Sequence, residues 1–150
     1  MNSVERLNKT DRSWILLAHR SGARLFSSIG YGKDLKQLQE FNFPEGRLKS
    51  QEIDTDDNGG LEKQEGAVFH IAKLFAHQLA EHLRQGRVDN AYDRLILIAE
   101  PRFLGMLRSH LDKETAKKII ETTRRNYTDL PKNDLTQCLK NIISGHQEAA

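Results

Sequence analysis

The sequence predicts a three-layer α/β domain built on a mixed five-stranded sheet, and three stretches carry that prediction. Leu95–Ala99 is an unbroken aliphatic run without polar alternation, which is how a strand reads when helices cover both of its faces. Pro101 follows at once, suited to the first turn of a helix, with Phe103, Leu104 and Leu107 as that helix's apolar side. Trp14–His19 is a second near-continuous apolar run, and Val68, Ile71, Ala72, Phe75, Leu79 and Leu83 recur at three- and four-residue steps, as on an amphipathic helix. The strand, sharp turn and helix N-terminus at 99–102 form the kind of place where α/β sheets hold their sites.

Taken in order, residues 1–12 are polar and expected to be flexible. Arg20–Ala23 is a turn, with Gly22 supplying a permissive backbone, and Leu25–Ile29 returns from it, so Trp14–Ile29 is a β-hairpin. Gly30–Asp34 breaks the chain, and Leu38–Phe43 reads as a third, half-exposed strand stopped by Pro44. Residues 45–65 combine Gly46, Gly59 and Gly60 with Asp54, Asp56 and Asp57, the composition of a mobile loop. The long helix that follows is expected to end at Gly86 and to lead into Leu95–Ala99 at the centre of the sheet. Pro101–Leu111 is the next helix, and Asp112–Thr115 caps a short helical turn. Ile119–Thr123, in a β-branched stretch running to Arg125, completes the sheet. Asp134–Ile143 is a C-terminal helix, with Leu135, Leu139, Ile142 and Ile143 in register, and 146–150 is a tail. The expected core comprises Leu16, Phe26, Ile71, Phe75, Leu79, Leu95, Leu97, Phe103 and Leu107.

At 150 residues the chain is of one-domain size, spanning 13–145. Lys and Arg number 23 against 21 Asp and Glu, so the net charge of +2 excludes an overall electrostatic nucleic-acid binder and leaves room only for a local basic surface. The single cysteine, Cys138, excludes an internal disulfide, fits a reducing compartment and falls in the apolar register of the last helix. Met1–Lys9 holds no apolar run of signal-peptide length and no stretch approaches the roughly 18 apolar residues of a membrane span. A cytoplasmic protein without membrane contact is the expectation.

No catalytic constellation emerges. There is no Gly-x-Ser-x-Gly elbow, phosphate-binding loop or dinucleotide fingerprint, and the central strand carries only Asp93 and Glu100 near its ends, not the paired carboxylates of a two-metal site. His70 and His77 lie seven residues apart on the long helix, about 10.5 Å along its axis, too far to share one ion. His82 is expected at the edge of the apolar stripe and His19 at a strand end, so no metal ligands or cofactor are assigned. Asp54, Asp56, Asn58, Gly59 and Glu65 match the spacing of an EF-hand loop, although Pro44 and Gly46 spoil the helix that should enter it. Between Glu100 and Arg125 seven basic residues face four acidic ones. Arg102, Arg108, Arg124 and Arg125 form the candidate anion- or RNA-binding set, placed near a helix N-terminus that favours anions.

The segments Trp14–Ala18, Ala23–Phe26, Phe43–Leu48, Ala80–Leu83, Tyr92–Ala99, Pro101–Arg108 and Thr128–Pro131 occur in the order and spacing of the bacterial host-attachment protein family. The sequence resembles that family over about residues 13–143, most specifically at Pro101-Arg102-Phe103-Leu104-Gly105. The resemblance implies a protein required for attachment to host cells, with no established enzymatic activity. The same layout looks like the middle domain of archaeal and eukaryotic peptide-chain release factors and of Pelota, a ribonuclease-H-like sheet. That likeness implies a ribosome- or RNA-associated interaction protein. Release factors carry a Gly-Gly-Gln loop before the long helix, whereas this chain has Gly59-Gly60-Leu61, which argues against peptidyl-tRNA hydrolysis. The alternatives are a hydrolase of peptidyl-tRNA or RNA acting through the Gly59–Gly60 loop, and a calcium-binding module using residues 54–65.

The two readings of the acidic segment separate in a melting experiment. Millimolar Ca²⁺ is expected to leave the melting temperature unchanged, since a site held at about 100 times its Kd would add about 2.7 kcal/mol. A large rise abolished by Glu65→Gln would make the segment a calcium site.

Overall fold

The computed structural model describes residues 9–19, 22–43, 60–123 and 132–145, of which 60–69 and 132 are described as backbone only. Strands β1 (Arg12–His19), β2 (Gly22–Ile29) and β3 (Lys33–Asn42) form an antiparallel meander. The long helix α1 (Gly60–Val88) returns the chain so that β4 (Arg94–Ala99) lies parallel to β1. Helices α2 (Pro101–Ser109) and α3 (Lys113–Ala116) then connect β4 to β5 (Ile119–Thr123), again parallel, and α4 (Lys132–Ser144) closes the described chain. The sheet order is β3-β2-β1-β4-β5, so the α/β class and the mixed five-stranded sheet stand as expected, and Leu95–Ala99 lies inside the sheet.

Because side chains alternate along a strand, β1 and β4 feed two separate cores. Leu16, Ala18, Leu95, Leu97 and Ala99 pack on one face with Phe75, Leu79 and Leu83 of α1 and Phe103, Leu104 and Leu107 of α2. Ile15, Leu17, Ile96 and Ile98 pack on the other with Leu135, Leu139 and Ile143 of α4. This is the physical reason for the uninterrupted apolar run at 95–99: every residue of it is fully buried, from one side or the other.

Several boundaries differ from the sequence reading. β1 begins at Arg12, whose backbone and guanidinium both donate to Asp93, so the strand starts two residues before its first apolar residue. β3 begins at Lys33 rather than Leu38: Gly30 and Gly32 turn the chain with positive φ, and Ser28 Oγ donates to the Lys33 carbonyl at 3.1 Å. The strand is exposed along most of both faces, and its polar sequence resembles a loop. Residues 60–65, read as the end of a mobile loop, belong to α1. The rest of that loop, the N-terminal segment before Lys9 and the tail from 146 lie outside the described residues. Ile71 is only half-buried, because α1 meets the sheet along Ala72, Phe75, Ala76, Leu79, Ala80 and Leu83, and Ile71 sits beside that line.

Gly86 does not end α1. The helix continues to Val88 and is closed by Asn90, which takes the left-handed conformation at φ 56. The Asn90 N–H donates to the Arg87 carbonyl and the Ala91 N–H to the Gly86 carbonyl, which satisfies the last free carbonyls in the manner of a Schellman cap. Gly86 instead lets the helix approach the sheet: a Cβ there would lie 2.6 Å from two atoms of the Trp14 ring and 3.1 Å from Tyr92. Gly86→Ala is therefore expected to destabilise. Overpacking of about 1–3 kcal/mol outweighs the roughly 1 kcal/mol that alanine gains as a helix former. A urea midpoint equal to or above that of the wild type would show that Trp14 can move aside at no cost.

Candidate functional site

The sharp turn after β4 is formed as the sequence suggests. Glu100 is the N-cap of α2 in an extended conformation with no side-chain capping bond, Pro101 occupies the first turn, and the Leu104 N–H donates to the Glu100 carbonyl at 2.9 Å. Phe103, Leu104 and Leu107 lock the inner face of α2 into the core. Its outer face comprises Pro101, Arg102, Gly105, Arg108 and Ser109, all exposed.

Arg102 and Arg108 thus share that outer face, at opposite ends of the helix and about 9 Å apart along its axis. Arg102 lies at the N-terminus beside the end of β4; Arg108 is in the last turn. Neither makes an ion pair with another described residue. The nearby lysine and acid side chains neutralise one another in part: Lys117 pairs with Glu114 at 3.4 Å. Arg87 on α1 donates to Thr115 Oγ1 at 3.0 Å and to Asp112 at 3.1 Å. Asp112 is the N-cap of α3 as expected, accepting from the Thr115 N–H, and hydrogen bonding to Thr115 is the chief cause that holds its carboxyl below the usual range. Arg124 and Arg125 lie outside the described residues, so the candidate set is placed only at Arg102 and Arg108.

The carboxylates do not converge. Asp93, at the start of β4, is tied to Arg12 at 3.2 Å, while Glu100 lies at the far end of the same strand. Among the described residues no group of three His, Cys, Asp or Glu could hold a metal ion. The acidic segment at 54–59 lies outside the described residues, and Gly60–Glu65 is the first part of α1, so the second half of the 54–65 pattern is regular helix rather than loop. His70 and His77 are exposed on α1. His82 stacks on Trp14 at 5.8 Å and meets Phe41 edge-on at 5.0 Å, and burial pushes its pKa down, so it serves as a neutral aromatic in the core margin. Cys138 is half-buried on α4.

Gly105, in the middle of α2, draws no functional reading from the sequence. A Cβ there would meet nothing within 4 Å, so no internal packing requires a glycine at this position. Glycine costs about 1 kcal/mol relative to alanine inside a helix. The signal is present in the sequence as an isolated glycine in a helical pattern, but only the structure shows that the space beside it is open to solvent. A groove of about 600 Å³ lined by Arg12, Trp14, Ile29, Leu38 and Ala91 lies elsewhere, near the start of β1. No helix among the described residues is long and apolar enough to cross a membrane.

Fold and site together define a three-layer, open-sheet α/β protein that presents a short basic helix and, among its described residues, no group of three or more metal-ligating side chains. The chain belongs to the family described as "Protein required for attachment to host cells", whose profile matches residues 14–139. The match runs from Trp14 in β1 to Leu139 in α4, so it takes in the whole of the first core and all of the second except the end of α4 at Ile143. No curated protein matches the sequence.

Because Gly105 faces open space, Gly105→Ala is expected to stabilise the protein by about 0.5–1 kcal/mol, read as a raised urea midpoint. A loss of stability would mean that the glycine answers to the fold itself.

Proposed function

We propose that this attachment-family protein acts by binding rather than catalysis, and that the outer face of α2 contacts a phosphate-rich partner, the ribosome or RNA. The observation that carries the reading is the pair Arg102 and Arg108, two exposed guanidinium groups without ion-pair partners among the described residues, flanking a glycine that leaves the surface between them flat. The helix N-terminus at Pro101 adds its partial positive charge at the same end as Arg102. An antiparallel β1–β3 meander, a long helix and two parallel strands are also the layout that a ribonuclease-H-like, release-factor middle-domain relationship calls for. Attachment to host cells then follows indirectly, through effects on the synthesis of other proteins.

The reading is tested by a pulldown from bacterial lysate with wild-type protein and an Arg102→Glu/Arg108→Glu variant, at low and moderate salt. Ribosomal RNA recovered by the wild type only, and lost as salt rises, supports it. Equal recovery by both proteins removes it. Turnover of peptidyl-tRNA or RNA by the pure protein, lost on mutating Gly59 and Gly60, would make the protein a hydrolase instead.

A further inference from the structure

His77 and His110 come from different elements and meet at the surface. His77 is exposed on α1, and His110 is the half-buried C-cap residue of α2. Their ring centroids are 5.4 Å apart with an interplanar angle of 74°. With metal–nitrogen bonds of about 2.0–2.1 Å, two imidazoles on one tetrahedral ion have their ring centres roughly 5 Å apart. The observed spacing is therefore close to what a shared ion requires, and the exposed His77 ring is free to turn a nitrogen toward it.

We propose that His77 and His110 form a site for a divalent ion of the imidazole-seeking class, represented by Zn²⁺ and Ni²⁺, and that the bound ion clamps α1 to the end of α2. Imidazole selects such ions over Mg²⁺ and Ca²⁺, which need several oxygen ligands. The site has two protein ligands and takes its remaining ligands from water, since no third His, Cys, Asp or Glu among the described residues joins the pair. Glu81, one turn beyond His77, has both carboxylate oxygens engaged by Arg84, at 3.1 and 3.2 Å. Lys73, one turn before His77, places a positive charge near His110. Burial, then His77 and Lys73, push the His110 pKa below its ordinary value. The lysine charge also repels the ion, which makes this a site of modest affinity. It does not depend on the α2 outer face and stands or falls apart from the RNA reading.

The test is calorimetric titration of untagged full-length protein with Zn²⁺ and Ni²⁺ at neutral pH, with melting curves alongside and Mg²⁺ as control. One ion per chain and a raised melting temperature are expected, with no response to Mg²⁺. His77→Gln and His110→Gln should each weaken binding by roughly ten-fold or more, the scale that even outer-shell partners of a metal command. Both side chains lie outside the core, so the metal-free variants should melt with the wild type; if His110→Gln does not, His77→Gln alone decides. Absence of saturable binding, or binding that persists in the double variant, overturns the proposal.

Discussion

The approach of α1 to β1 at Gly86 is the constraint on which most of this architecture depends. Trp14 lies against the glycine, with the Tyr92 ring 4.8 Å away and His82 stacked on it as well. Tyr92, itself buried, donates its hydroxyl to the Leu83 carbonyl at 2.6 Å, which ties the segment entering β4 back onto the helix that precedes it. Burial is the chief cause that raises the Tyr92 pKa, so the phenol stays protonated and the donor is retained. The Asn90 turn completes the reversal within four residues of the Trp14 contact. Helix position, strand register and turn are thus fixed by one cluster. The alanines at 72, 76 and 80 extend the close approach along α1 by keeping its contact line thin.

This cluster also shows which parts of the fold are legible in the sequence. The strands buried on both faces are readable because an aliphatic run of strand length, bounded by turn residues, suits a doubly covered strand and little else. The helix starts at Pro101 and Asp112 are readable because each follows from a local rule of hydrogen bonding, a missing N–H at the first turn for one and a side-chain cap for the other. Gly86 misleads because a glycine near the end of an apolar stripe has two meanings, a helix stop or a close contact, and only the partner Trp14, 72 residues away in sequence, selects between them. The start of β3 is hidden for the opposite reason: an edge strand exposed along most of its length has no continuous apolar face to announce it. The candidate site is legible as a place, the turn into α2, but not as an arrangement. Helical geometry puts Arg102 and Arg108 at opposite ends of one face, whereas linear proximity suggests a cluster around the N-terminus.

α2 combines two opposed demands. Its inner face is among the most tightly held parts of the protein, with Phe103, Leu104 and Leu107 buried against β1, β4 and α1. Its outer face gives up helix stability at Gly105 without an internal return. The exposed arginines therefore stand on a backbone that is already held in place by the buried inner face. The stability that Gly105 forgoes is small beside that of the inner face, so the fold tolerates it.

The sheet edge offers the other surface by which such a domain could recruit a partner, and its construction argues against that use. β3 is ten residues long and bonded through β2 on one side only, a geometry that invites strand addition. Two register shifts interrupt it: Leu38 has no opposite number between the pairs Leu25–Gln39 and Phe26–Gln37, and Asp34 takes a left-handed conformation where Ser28 faces an extra residue. Bulges of this kind bend and twist an edge, and Lys33 and Lys36 add charge that a pairing strand would have to accommodate. The edge is blunted twice over, by geometry and by charge. α2 has no such defence, since its exposed arginines have no acidic partners among the described residues and its middle residue has no side chain. The fold thus blunts its sheet edge at β3 and leaves the outer face of α2 exposed.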